Sequence, residues 1–374
     1  MSALFGTETL ERVASALRDA FGALGGERID LPSVQPLVPY LEFLGEAYRQ
    51  NIVEHGGDEL CLCPDLTLAL ALQIASGDTP IGTYQFDGLV FRGSRGEQTA
   101  SPIQRQMGAE IFGAPGDAGD DAKVVLATCQ ALTAAGVTDY TITFADPGLV
   151  FALIDSFDLH ENWQTRLKKS FSMPATFERD MSDASAVTKA PALSRALASL
   201  PPEQARDALS NMFETMNITP FGARSLDDIT ERLTDKAKEA ERPLKPEDAK
   251  LLAWVCDVEG SIDNAFGEFY SLLSNRSAAI SERLKEFQDL LLTLRNKGVN
   301  FQGARFDANL ARELSYYDGF VFECHASDGS VLGSGGRYDG LLSALSGGAK
   351  SSGAVGAMLR PDRIAALIEG GASC

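Results

Sequence analysis

Near its start the chain spaces apolar residues for a helix. Leu10, Val13, Leu17 and Phe21 recur every three or four positions, with Glu8 and Glu11 in the first turn, so an amphipathic helix is predicted from Thr7 to about Gly22. The pattern then shortens to strand-like runs separated by turn residues: "RIDLPSV", "DELCLCPD" after the His55-Gly56-Gly57 turn, "GTYQFDGLVFRG" and "RQMGAEIFG". Strands this close together make a mixed, mainly antiparallel sheet. "DDAKVVLATCQALTAAG" reads as a helix stopped by Gly136, "DYTITFADPG" as a strand ending in a Pro-Gly turn, and "LVFALIDSFDL" as another helix.

Between about Asn162 and Pro246 the strand signal disappears. Short helical segments such as "APALSRALASL", "PPEQARDALSNMFETM" and "SLDDITERLTDKAKEA" take its place, and Ser225 with Asp228 forms a capping box at the head of the last of these. A longer helix follows, with Ile280, Leu284, Phe287, Leu291 and Leu294 on one stripe and Gly298 at its end. Strands return in "ARFDANLAREL", "YYDGFVFECHA", "SVLGSGG" and "SSGAVGAML", with Ser327-Asp328-Gly329 as a tight turn and a terminal helix in "RPDRIAALIEG". The expected class is α+β: a core over 1–161 and 247–374, interrupted by a helical insertion over 162–246.

Composition narrows the function classes. The chain has 374 residues, 44% of them hydrophobic, enough for a substantial core. The net charge of -19 repels polyanions, which argues against a nucleic-acid partner. No apolar run approaches the roughly 20 residues needed to cross a bilayer, and the start lacks a secretory pattern, so a cytoplasmic protein without a membrane partner is expected. The six cysteines are scattered without a C-x-x-C pair and read as reduced thiols; Cys61, Cys63 and His55 read as packing residues, and no metal is expected. Phosphate-binding loops and a nucleophile elbow are missing from the sequence, and His55, His160 and His325 read as surface or packing residues.

An ordered set of segments carries more. "LCPDLTLALA" from Leu62, "FRGS" from Phe91, "RQMGAEIFG" from Arg105, "LARELSYYDGFVFE" from Leu310, "SGGRYDGLL" from Ser334 and "GAVGAMLRPDRI" from Gly353 resemble, in order and spacing, the catalytic domain of histidyl-tRNA synthetase. That resemblance implies a class II aminoacyl-tRNA synthetase-like fold over nearly the whole chain, with Pro32 in the segment that builds the family's dimer interface. It also implies a histidine pocket: Asp65, Thr67 and Gln106 at the α-amino group, Glu110 and Tyr317 at the imidazole with Tyr316 and Tyr338 beside them, and Arg312 at the carboxylate. Singly, the tyrosines read as core aromatics and the acids as strand-end charges. Together they complement each polar group of one amino acid.

The nucleotide side departs from the family. Arg92 is kept, but Ser94 stands where the family has a glutamate that holds ATP. Arg363 matches the closing arginine of the third motif, but Arg360 replaces a glycine where a backbone must approach adenine closely. The resemblance also ends after the third motif, so no anticodon-binding domain is expected. A synthetase-like chain with an amino-acid pocket and a degraded ATP site resembles the regulatory subunits of ATP phosphoribosyltransferase. This implies a non-catalytic partner of a short-form catalytic subunit in histidine biosynthesis, self-associated as a dimer within a hetero-octamer, with histidine as feedback ligand and no cofactor. Two other readings fit the same motifs: an enzyme that still forms histidyl-adenylate, and a scaffold with a relic pocket.

Overall fold

A computed structural model describes residues 8–44, 46–55, 59–93, 102–114, 116, 118–186, 190–217, 225–310 and 316–371. The chain forms two compact units, one from Met1–Val150 with Cys256–Cys374 and one from Phe151–Val255. The first unit begins with helix α1 (Glu8–Gly22), which buries the predicted stripe of Leu10, Val13, Leu17 and Phe21. "RIDLPSV" yields two short strands, β1 (Glu27–Arg28) and β2 (Val34–Pro36), and not one continuous strand. Pro32 between them has no N–H to give a ladder. Helix α2 (Leu37–Leu44), a 3-10 turn (Glu46–Asn51), β3 (Glu54–His55) and β4 (Leu60–Leu62) follow, and β2, β4 and β3 make a small antiparallel sheet.

Helix α3 (Leu66–Ser76) was not legible as a helix because it is apolar on all sides. Such a helix has no amphipathic period; it belongs inside. Leu66 to Ala71 are all buried, and Gly77, with φ 93°, closes the helix through the left-handed region. The long hairpin β5 (Thr83–Phe91) and β6 (Ile103–Phe112), helix α4 (Ala118–Ala135), strand β7 (Tyr140–Ala145) and helix α5 (Pro147–Asp155) come next.

Among the described residues the second unit is helical throughout: most of α5, then α6 (Glu161–Ser170), α7 (Pro174–Ala186), α8 (Ala192–Ala198), α9 (Pro202–Thr215), α10 (Leu226–Glu241) and most of α11 (Pro246–Asp257). Ser225 and Asp228 form the expected reciprocal cap at 3.1 and 2.9 Å.

The first unit resumes with β8 (Glu259–Ser261), α12 (Ile262–Leu273), α13 (Ala278–Asn296), β9 (Arg305–Asp307), β10 (Val321–Ala326), β11 (Val331–Arg337), α14 (Gly340–Leu345), β12 (Ala354–Leu359) and α15 (Pro361–Gly371). Strand β9 is shorter than "ARFDANLAREL" predicts, because the Asp307 carboxylate accepts Asn309 N–H at 2.8 Å and turns the backbone out of the ladder. Nine strands form one sheet in the order β1-β5-β6-β12-β11-β10-β7-β9-β8, parallel only at β1–β5 and β7–β9. This is the α+β, mainly antiparallel sheet that the sequence predicts. Helices α1, α4 and α15 pack on one face of its centre, and α3 with α14 on the other.

Candidate functional site

Strand β6 sorts its side chains by parity. Gln104, Gln106 and Glu110 line a cavity of about 460 Å³, whereas Arg105 on the opposite face pairs with Asp87 at 2.7 Å and lies 3.8 Å from Glu11 of α1. The cavity opens onto the α3 side of the sheet, where β6, β12 and β11 run side by side in antiparallel register.

Glu110 is 1% exposed and held at both oxygens. Thr67 donates its hydroxyl to Oε1 at 2.5 Å, and Tyr338 donates its hydroxyl to Oε2. Gly356 faces Glu110 directly across the β6–β12 ladder, and a Cβ there would fall 1.4 Å from Glu110 Oε2, so no other residue fits at that position with the carboxylate in place. Burial pushes the Glu110 carboxyl up to about 7; the Thr67 and Tyr338 hydroxyls oppose that rise and the nearby Asp65 carboxylate adds to it.

Asp65 is the N-cap of α3, with Oδ1 accepting Leu68 N–H at 2.8 Å. The same cap places Thr67 in the first helical turn, within reach of Glu110. Arg92 lies 3.8 Å from Asp65 Oδ2 and donates to the Pro64 carbonyl at 3.0 Å. Burial raises the Asp65 carboxyl, and the Arg92 charge and the Leu68 N–H moderate the rise. Gln106, 2% exposed, presents an amide Nε2 with no acceptor among the described residues. A buried donor without a partner costs about 1–3 kcal/mol. A ligand acceptor in the cavity would remove that cost.

Tyr316, Tyr317 and Tyr338 form a ring cluster with centroids 4.7, 5.7 and 6.2 Å apart. Tyr316 and Tyr317 line the cavity; Tyr338 lies behind Glu110, in the core with Tyr40 and Leu68. Burial raises all three phenols, which stay neutral hydroxyls. Gly336 makes room for Tyr317, since a Cβ there would come within 2.9 Å of the ring.

Arg360 and Arg363 also line the cavity, away from Glu110 along β12 and its continuation, whereas Arg92 stands beside Asp65. Arg360 and Arg363 donate to one acceptor, the Val331 carbonyl, at 3.1 and 3.2 Å. Ser94 and Arg312 lie outside the described residues. Sequence reasoning missed the lining residues Tyr48, Asn51, Gln104 and Glu323. Gln104 had a signal, since it repeats at period two with Gln106; Tyr48 and Asn51 sit on the 3-10 turn, where no period exists. His160 caps α6 by accepting Asn162 N–H, and His325 lies 3.3 Å from Glu323.

A mixed sheet presenting buried carboxylates, a hydroxyl and aromatic rings to an amino-acid-sized space, beside a cluster of arginines, defines a class II synthetase-like protein. The profile of the histidyl-tRNA synthetase family matches residues 6–242 and 223–364, and the chain belongs to that family. Among curated relatives, the ATP phosphoribosyltransferase regulatory subunit of Brucella anthropi is 27% identical over 368 residues, covering 95% of this chain and 97% of the relative. That of Brucella canis is also 27% identical, covering 95% and 96%. The crystal structure of an ATP phosphoribosyltransferase regulatory subunit/histidyl-tRNA synthetase from Bacillus halodurans superposes with TM-score 0.61 at 21% identity, over 96% of this chain and 79% of that one. A histidine–tRNA ligase subunit from Alicyclobacillus acidocaldarius gives 0.58 at 21% identity, over 98% and 95%.

Proposed function

We propose that this chain is the regulatory subunit of an ATP phosphoribosyltransferase, cytoplasmic and without chemistry of its own, required by a short-form catalytic subunit and carrying histidine feedback. Its relatives of matching length bear that name. The observation that carries the reading is the cavity's sealed end, where a doubly hydrogen-bonded Glu110, an α3-capping Asp65 and a Gln106 amide without an acceptor among the described residues converge. Asp65, Thr67 and the Gln106 Oε1 oxygen accept from the ammonium group, the Gln106 Nε2 N–H is left for an acceptor on the ligand such as its carboxylate, Glu110 and Tyr317 take the imidazole, and Arg312 the carboxylate. At the other end Arg360 fills the side on which adenine is held in the synthetases, so the chain binds the amino acid without activating it.

Histidine acts by binding more tightly to an arrangement of the complex in which the catalytic subunit is slower. The available coupling is about 1–3 kcal/mol, which makes inhibition partial. The complex is a hetero-octamer built on a dimer of this chain. Neither a cofactor nor a nucleic-acid or membrane partner is involved; among the described residues no helix is long and apolar enough to cross a membrane. The test is to mix the chain with a short-form phosphoribosyltransferase and then add histidine. Activity that appears on mixing and falls with histidine supports the reading; activity indifferent to either addition refutes it. Histidine-dependent exchange of pyrophosphate into ATP by the isolated chain would instead identify an adenylate-forming enzyme.

A further inference from the structure

Tyr338 is 1% exposed and does not line the cavity, yet its hydroxyl is bonded to the carboxylate that does. Its ring is wedged edge-on against Phe112 at 6.0 Å and Tyr316 at 5.7 Å, so the hydroxyl has little freedom to leave. Thr67 occupies the other carboxylate oxygen, and Gly356 leaves room for this side-chain position and no more. Hydroxyls from two separate elements, α3 and the turn after β11, therefore hold one carboxylate in the room that Gly356 of β12 leaves. With a hydroxyl donor on each oxygen, the ionised Glu110 works as an acceptor, and above about pH 7 its remaining lone pairs receive an N–H or O–H from a ligand.

Resting on the reading above, we infer that Tyr338 is a positioning residue that makes the site selective for a ring bearing an N–H donor, acting through Glu110 without touching the ligand. A site built around a fixed buried acceptor rejects a ligand of the same shape that lacks the donor, because the acceptor is then left unpaired. The groups that bear on Glu110 are Asp65 and Thr67 from α3, Tyr316 and Tyr317 from the segment before β10, and Tyr338 itself. Asp65 disfavours the carboxylate, whereas the Thr67 and Tyr338 hydroxyls favour it. Losing the Tyr338 hydroxyl thus moves the titration of Glu110 to higher pH.

The test is calorimetric titration of the full chain with histidine and with β-(2-thienyl)alanine, whose ring matches in size but carries no N–H, between pH 6 and 8.5. Wild-type protein should prefer histidine, with a preference that grows as pH rises through about 7. Tyr338→Phe keeps the ring packing and deletes the hydroxyl. The preference should fall roughly tenfold, its pH midpoint should move upward, and thienylalanine affinity should stay within about threefold. Glu110→Gln, which keeps the shape of the side chain, is the second variant and should flatten the pH dependence. Equal loss of both ligands in Tyr338→Phe, or an unchanged preference and midpoint, overturns the inference while leaving the histidine pocket standing. Wild-type protein that binds no histidine overturns the function reading and this inference with it.

Discussion

The two ends of the cavity are built differently. At the sealed end Glu110 of β6 is held at both oxygens by hydroxyls, Thr67 from α3 and Tyr338 from the turn after β11. At the other end the guanidinium groups of Arg360 and Arg363 both donate to the Val331 carbonyl. Pre-organisation of the first kind favours binding, because little side-chain entropy remains to be lost when a ligand arrives. The second kind brings two positive charges to a neutral acceptor. The contrast is between a carboxylate held at both oxygens by hydroxyls from distant segments and two guanidinium groups that meet on one backbone carbonyl.

Breaking the sealed end should have the largest effect. Glu110→Ala should weaken histidine binding by one or more orders of magnitude, since a buried hydrogen bond to a charged group contributes about 1.5–3 kcal/mol. Calorimetry checks this, and unchanged affinity would remove Glu110 from the site.

The same carboxylate should also cost stability. Its folded-state value of about 7 lies above the ordinary 4.5, so the folded chain holds the proton more tightly than the unfolded one. The cost is therefore absent below about pH 4.5, grows as pH rises to about 7, and is complete above it. Glu110→Gln, neutral at every pH, should be more stable than wild type at pH 8 by about 3 kcal/mol and by less than about 1 kcal/mol at pH 5. Urea denaturation at the two pH values measures the difference; equal midpoints at pH 8 would mean the carboxylate is not desolvated as the structure has it.

The arginine end should respond less. If Arg360 obstructs a nucleotide as proposed, Arg360→Gly should raise nucleotide affinity by roughly tenfold at most, with no histidine-dependent pyrophosphate exchange, because filling or vacating one side-chain volume changes binding by about 1–2 kcal/mol. Appearance of that exchange would show that Arg360 alone blocks adenylation. The smallest effect belongs to Arg363→Ala, which deletes one of two donors to the Val331 carbonyl. Its unfolding free energy and histidine binding free energy, measured by urea denaturation and calorimetry, should stay within about 1 kcal/mol of wild type; a larger loss would mean that the arginine end is as organised as the sealed one.

How much of this was legible follows from the range of each interaction. Helices α1 and α13 could be read from their stripes, the α10 cap from Ser225 and Asp228, and the helix stops from Gly136 and Gly298, whose φ values are 97° and 83°. Helix α3 could not, because a segment buried on all sides erases the periodic signal by which helices are recognised. Of the site, Asp65, Thr67, Gln106, Glu110, Tyr316, Tyr317 and Tyr338 were singled out by motif resemblance. Parity along β6 alone would have linked Gln104, Gln106 and Glu110.

By itself the sequence determined which residue types are available, where helices begin and end, and which motifs stand in which order, since these depend on neighbours a few positions apart. Only the tertiary structure decided that Thr67 and Tyr338, 43 and 228 positions from Glu110 along the chain, meet on one carboxylate, that Gly356 faces it, and that Tyr338 stands behind the cavity wall and not in it. The raised carboxyl is likewise a product of assembly: desolvation comes from every segment that closes over a group, and no stretch of chain carries that information alone.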